Sequence, residues 1–345
     1  MVHLPNTSSI RLRSIFAGVV VLAAGIQSAF AQLAPDRLYY GVNRPIPMTV
    51  TVPDGAAGDV EIQLLKPVSA EVIEKAAAGK GAVDLAALFP KVWSADPAPS
   101  VSYAQLVVGG KKIGPAVVLQ PLGTPATAWV PDQRNRRDIR WVDSQRVFSG
   151  FRAYADKDVM MKTTVGDIRI ALRPDQAPNT AFNFRHLVEG GFYTDIAFHR
   201  IIGSTPRGWG FVVQGGDPTA QGNGGPGFSI DLEPSKLPHD FGVLSMARND
   251  DPNTNGSQIF ICLSREATAG LDGLYTSFGY AISGGDVIQK LAGVPVKQDG
   301  STPENPPRIE KATLVDAAPY GEGAKAVTAP AGGLTPASGE AAQPK

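Results

Sequence analysis

The chain has 345 residues, 43% apolar and 19% charged, with Lys+Arg and Asp+Glu equal at 32 each. That balance supports packed cores and excludes a chain disordered throughout, and without a basic excess nothing in the charge points to nucleic acid. Glycine (38) and proline (29) are abundant and there is one cysteine, which favours loop-rich β domains, two by length, and excludes an internal disulfide framework.

Residues 1–13 carry Arg11 and Arg13 and no acid. A short apolar run follows, and Ala29-Phe30-Ala31 closes it with small residues at the positions a signal peptidase reads. Residues 1–31 are therefore expected to be a secretory signal peptide cleaved before Gln32, the run being short for a membrane anchor. A periplasmic or secreted location follows, with no membrane span after cleavage.

"LYYGVNRPIPMTVTVPDG" alternates through Met48, Val50 and Val52, and "DVEIQLLKP" through Val60, Ile62 and Leu64, the period of half-buried strands. "SAEVIEKAAAGKGAVDLAALF" reads as the one helical or irregular insert. "YAQLVVGGKKIGPAVVL" reads as a hairpin around Gly109-Gly110. Residues 32–150 are expected to form a small β-sandwich-like domain of unknown role, without a catalytic constellation. The one basic cluster, "DQRNRRDIRW" at 132–141, is interleaved with acids and reads as a solvated interdomain loop.

Residues 151–318 form the second expected domain. "DVMMKTTVGDIRIALRP" gives two strands about Val165-Gly166-Asp167. "APNTAFNFRHLVEGGFY" gives a helix capped by Asn179 or Thr180, packed through Phe182, Phe184, Leu187 and Val188, and ended by Gly190-Gly191. "AFHRII", "FGVLSMAR", "SQIFICLS" and "TSFGYAIS" are short strands, and "GGDVIQKLAGVPV" a second helix. Cys262 lies in an apolar strand and reads as buried and inert. Many short strands with two helices point to a mainly β fold closed as a barrel. The Ala/Gly/Pro-rich tail, 319–345, reads as disordered.

The ordered set "GDIRIAL", "FHRI", "FVVQGGDP", "GGPGF", "GVLSMAR", "NTNGSQIFI", "LDG" and "FG", over about 158–315, resembles the cyclophilins, which are peptidyl-prolyl cis-trans isomerases. The resemblance covers under half the chain and implies an eight-stranded antiparallel barrel capped by two helices. It implies a surface groove for proline-containing polypeptides, with no cofactor and no metal. Arg200 is then the central catalytic group, with Gln214 holding the carbonyl side or orienting it. Phe211, Val212, Phe260 and Leu271 line the proline pocket. Gln258 contacts polar groups of the substrate, Ala247 and Arg248 lie along the groove, and Tyr275 closes it. His199 reads as a packed structural residue.

The chemistry explains why no nucleophile is needed. The X-Pro barrier is amide resonance, about 18–20 kcal/mol, and no bond breaks. In the twisted transition state the prolyl nitrogen regains a lone pair. A fixed arginine can donate to it there and not equally in the planar ground state. Two features depart from the family. "GSTPRGWG" (203–210) is inserted before Phe211, and Gly270 stands where an aromatic commonly precedes the "LDG" leucine. Weak cyclosporin binding is expected from the missing ring. The alternative to an enzyme is a proline-directed binding or chaperone module with weak or no turnover.

Overall fold

The computed structural model describes residues 32–94, 99–132, 134–142 and 147–329. The expected signal peptide and the tail from 330 lie outside the described residues. No described helix is long and apolar enough to cross a membrane.

In the first half, strands Leu33–Pro35, Pro47–Val50 and Gly81–Asp84 form a three-stranded sheet. A seven-stranded sheet runs Tyr39–Gly41, Gly150–Ala155, Val117–Leu122, Ser102–Val108, Val60–Leu65, Val72–Ala77, with Lys111–Lys112 paired to Ser102–Val108. Alternation turns Met48 and Val50 of the small sheet towards Ile62, Leu64, Leu106 and Phe151 of the large one, in a single core. The two sheets therefore make the expected sandwich. Gly109 and Gly110 form its hairpin turn at φ 56° and 78°, a left-handed pair that glycine adopts without a Cβ clash.

Two expectations need correction here. Val72–Ala77 and Gly81–Asp84, read as helical or irregular, are strands, and only Leu85–Leu88 forms a helical turn. Val72–Ala77 pairs along Val60–Leu65, and ladder bonding overrides the helix propensity of its Ala, Glu and Lys. Gly150–Ala155 hydrogen-bonds to Val117–Leu122 and Tyr39–Gly41, so residues 151–155 belong to the first sheet rather than the second.

The second sheet follows the path Thr194–Ala197, Arg308–Asp316, Lys157–Thr163, Gly166–Leu172, Ser277–Ser283, Val243–Met246, Ile259–Cys262, Val212–Gly215, Arg200–Ile202, antiparallel throughout. Its two ends are successive pieces of one stretch, interrupted only at Phe198-His199, so the sheet curls round on itself and counts eight strands. Met161, Ile170, Ile201, Val213, Leu244 and Ile261 fill the interior. Helices Pro178–Glu189 and Gly285–Ala292 cover it through Phe184, Leu187, Ile288 and Leu291.

The first helix is not capped by Asn179 or Thr180. Its N-cap is Ala177, and the buried Glu233 carboxylate accepts from Asn179 N (3.0 Å), Thr180 N (2.7 Å) and Thr180 Oγ1 (2.7 Å). Phe182 does not join Phe184 in the barrel core. It packs on the outer face of the first sheet, 5.4 Å from Tyr154, with the Arg152 guanidinium 3.9 Å above its ring. The described part of the tail is also ordered against expectation. Tyr320 stacks on Tyr103 at 3.6 Å, its hydroxyl accepts from Val68 N, and Val327 N donates to Ala281 O in the barrel. The half-buried Tyr320 and Val327 and these bonds hold a segment whose composition alone predicts disorder.

Candidate active site

On the barrel's outer face, register sets four side chains in a row. Arg200 faces Gln214 across one ladder, Gln214 faces Phe260 across the next, and Phe260 faces Ser245 across the third. Their strand neighbours Ile201, Val213, Ile259 and Ile261 point inward, so period-two alternation fixes this row outward. Arg200 Nη1 donates to Gln214 Oε1 (3.1 Å), Gln214 Nε2 to Gln258 Oε1 (3.0 Å), and Gln258 Nε2 to Gly224 O (2.9 Å). The chain of amides holds the guanidinium by one of its corners and leaves donors for a ligand.

Beside this row lies an apolar cluster of Val212, Val243, Phe260 and Cys262, with Phe211, Leu237, Ala247, Leu271, Tyr275 and Tyr280 packed on it. Of the residues expected at the site, Arg200, Gln214 and Gln258 lie along the hydrogen-bonded chain, and Phe211, Val212, Phe260, Leu271, Ala247 and Tyr275 lie in the cluster. Arg248 stands at the rim. Its Nε and Nη2 donate to Leu274 O (3.1 and 2.9 Å), and its guanidinium lies 4.7 Å over the Tyr275 ring. Arg248 therefore fixes the position of Tyr275. Gly216, at φ +92°, lets two strands close up, since a Cβ there would stand 2.2 Å from Ser257 O and 2.9 Å from Gln258 Cα.

Several supporting residues escape a reading by motif. His239 is buried under Phe260, the rings 5.9 Å apart and nearly parallel. Its Nδ1 lies 2.9 Å from Asp272 Oδ1 and its Nε2 2.9 Å from Ser245 Oγ. A carboxylate only accepts, so Nδ1–H donates to Asp272 and Nε2 accepts from Ser245. Burial lowers the His239 pKa despite Asp272. Burial would raise Asp272, but Arg265 and the His239 donors prevail and hold it at about 2. Asp217 is fully buried in the turn after Gln214-Gly215-Gly216 and accepts from Thr219 N, Thr219 Oγ1, Gly222 N and Gly224 N. Nothing in the spacing announces the His239–Asp272 pair, 33 residues apart, although Asp272 sits in the "LDG" motif.

The departures have distinct consequences. The 203–210 insert closes on itself through Thr205 N to Trp209 O (2.7 Å) and Gly208 N to Thr205 O (2.8 Å), and Trp209 is exposed. Gly270 faces the other half of the molecule: a Cβ on it would stand 4.0 Å from Arg137 Nη1. The basic loop is largely exposed, as read, and its Arg136 and Arg137 line a cavity together with Arg248, Leu271 and Tyr275. Cys262 is buried, and its thiol pKa is pushed far up by that burial.

Residues 158–314 match the family model for the cyclophilin type peptidyl-prolyl cis-trans isomerase. A peptidyl-prolyl cis-trans isomerase-like 1 of Neurospora crassa is 40% identical over 163 residues, covering 46% of this chain and 94% of that protein. The chain belongs to the cyclophilin family of peptidyl-prolyl cis-trans isomerases. A peptidyl-prolyl cis-trans isomerase of Synechococcus elongatus is 44% identical over 120 residues, 35% of this chain and 77% of that one. A crystal structure of a Cryptosporidium parvum cyclophilin aligns with a TM-score of 0.42 at 34% identity, covering 46% of this chain and 98% of that one. In this cyclophilin the first sandwich lies outside the matched residues.

Proposed function

We propose that this cyclophilin rotates X-Pro bonds in proteins outside the cytoplasm and so assists their folding. Arg200 is the catalytic group, Gln214 orients it, and the Phe211, Val212, Phe260, Leu271 cluster holds the proline ring. The observation that carries the reading is the Arg200–Gln214–Gln258 row running along that apolar cluster. The ring excludes water from the guanidinium, which strengthens a hydrogen bond to the twisted prolyl nitrogen. Gln258, Ala247 and Arg248 would contact the polypeptide on either side, and Tyr275 would close the far end. Weak cyclosporin binding belongs to the same proposal, because Gly270 offers no ring.

Exchange NMR on a short peptide with one X-Pro bond tests the activity. Exchange accelerated in proportion to enzyme is expected, and exchange at the uncatalysed rate would contradict it. A proline-directed binding or chaperone module is the second reading, favoured by the missing aromatic at Gly270; it predicts peptide binding without acceleration. Arg11, Arg13 and Ala29-Phe30-Ala31 carry the proposal of export. The mass of the exported chain should correspond to a start at Gln32, and a chain beginning at Met1 would contradict cleavage.

A further inference from the structure

We infer that an arginine-lined cavity beside the proline groove selects client segments carrying an Asp or Glu near the X-Pro bond. The inference rests on the isomerase reading of the groove and names a feature of its substrates. The antiparallel ribbon Thr127–Trp129 and Arg140–Val142 carries the basic loop at its tip, and all of it lies outside the family match. Two contacts seat it on the barrel: Arg136 pairs with Asp250, and Asn253 Nδ2 donates to Ala128 O at 2.8 Å. Between loop and barrel is a cavity of about 560 Å³ whose walls include Arg136, Arg137, Arg248 and Asp250. Leu271 and Tyr275 also line it, so it is continuous with the candidate proline site.

The charges in this space are unbalanced: three guanidinium groups face one carboxylate. Asp250 is taken by Arg136, in an exposed pair that solvent screens. Arg248 spends its donors on the carbonyls of Leu274, Asn249 and Asp250. Among the described residues, no hydrogen bond or ion pair engages the Arg137 guanidinium, which keeps its fork free. Glycine at 270 leaves open the space into which it reaches. A cleft with an excess of positive charge and such a fork matches a planar carboxylate, which accepts two parallel N–H bonds. A peptide held by its proline would therefore gain affinity from an acidic side chain placed in the cavity.

The test uses the full chain and matched peptides with one Ala-Pro bond, carrying either Glu or Gln two residues before or two residues after it. Both kcat/KM by exchange NMR and Kd by titration are read. At low salt, one of the Glu peptides should be preferred over its Gln partner by about fivefold or more. The preference should fall towards one in Arg137→Gln, drop below one in Arg137→Glu, and shrink in about 0.5 M salt. Equal handling of Glu and Gln peptides by the wild type would overturn the inference, as would a preference undiminished in Arg137→Gln. If no peptide is turned over, the isomerase reading fails, while the Kd ratios still decide the cavity's role.

Discussion

Asp217 sets the turn that follows Gln214, and its charge is expected to matter to the fold through pH. Burial would raise its pKa, but the N–H groups of Gly224, Thr219 and Gly222 and the Thr219 hydroxyl hold it at about 2. A folded value below the unfolded one stabilises fully above pH 4 or so and ceases to do so as pH falls through about 2. Asp272 acts in the same direction. His239, lowered by burial, adds a loss that begins as pH falls below its unfolded value near 6.5. Asp217→Asn should therefore lower the urea midpoint at pH 7 and lose that difference by pH 2; a difference constant from pH 7 to pH 2 would contradict the assignment. Of the ten expected site residues, Arg200, Val212, Gln214 and Phe260 hold strand positions that their short motifs fix and register aligns, while the other six sit in adjoining loops and a 3-10 turn. His239, Ser245 and Asp217 were not legible in the sequence, because their roles arise from contacts between distant segments. Arg137 was hidden for a different reason: it lies in a basic run flanked by Asp132 and Asp138, a mixture that reads as a solvated loop.

Glu233 shows the same limit one level up. The helix Pro178–Glu189 was found from its apolar spacing and its terminal glycines, but its N-terminus is satisfied from a loop 53 residues away from Thr180. No local pattern encodes such a cap. Glu233→Ala should cost about 1–3 kcal/mol in urea unfolding, because two buried donors on Thr180 and the half-buried Asn179 N lose their acceptor. A change under about 0.5 kcal/mol would show that water replaces it. Phe182 belongs to the same lesson. A helix wedged between two sheets has two apolar faces, and periodicity cannot say which face meets which sheet. Val72–Ala77 fails in the opposite sense, since Ala, Glu and Lys favour a helix until a free sheet edge offers them a ladder.

At the scale of the molecule, the sandwich and the barrel are joined by more than their linker. Phe182, Arg152 and Tyr154 meet on one side, Tyr320 folds back onto Tyr103, and the basic loop reaches the groove. Composition marks the tail as low in complexity and is silent on the one aromatic that anchors it. Tyr320→Ala removes a stacked pair of a kind worth about 0.5–1.5 kcal/mol beyond its area. It should lower the unfolding midpoint measurably while leaving peptide turnover at the wild-type rate; an unchanged midpoint would mean that the tail contributes nothing to the fold.

The central claim is that Arg200 acts on the twisted prolyl bond rather than on binding the planar one. The most direct measurement is exchange NMR and Kd on the same X-Pro peptide for wild type and Arg200→Ala. Turnover should fall about a hundredfold or more, a barrier increase of about 2.7 kcal/mol, while Kd moves only a few-fold. Turnover within about twofold of wild type, under ~0.4 kcal/mol, would contradict the account, as would a loss that merely follows Kd.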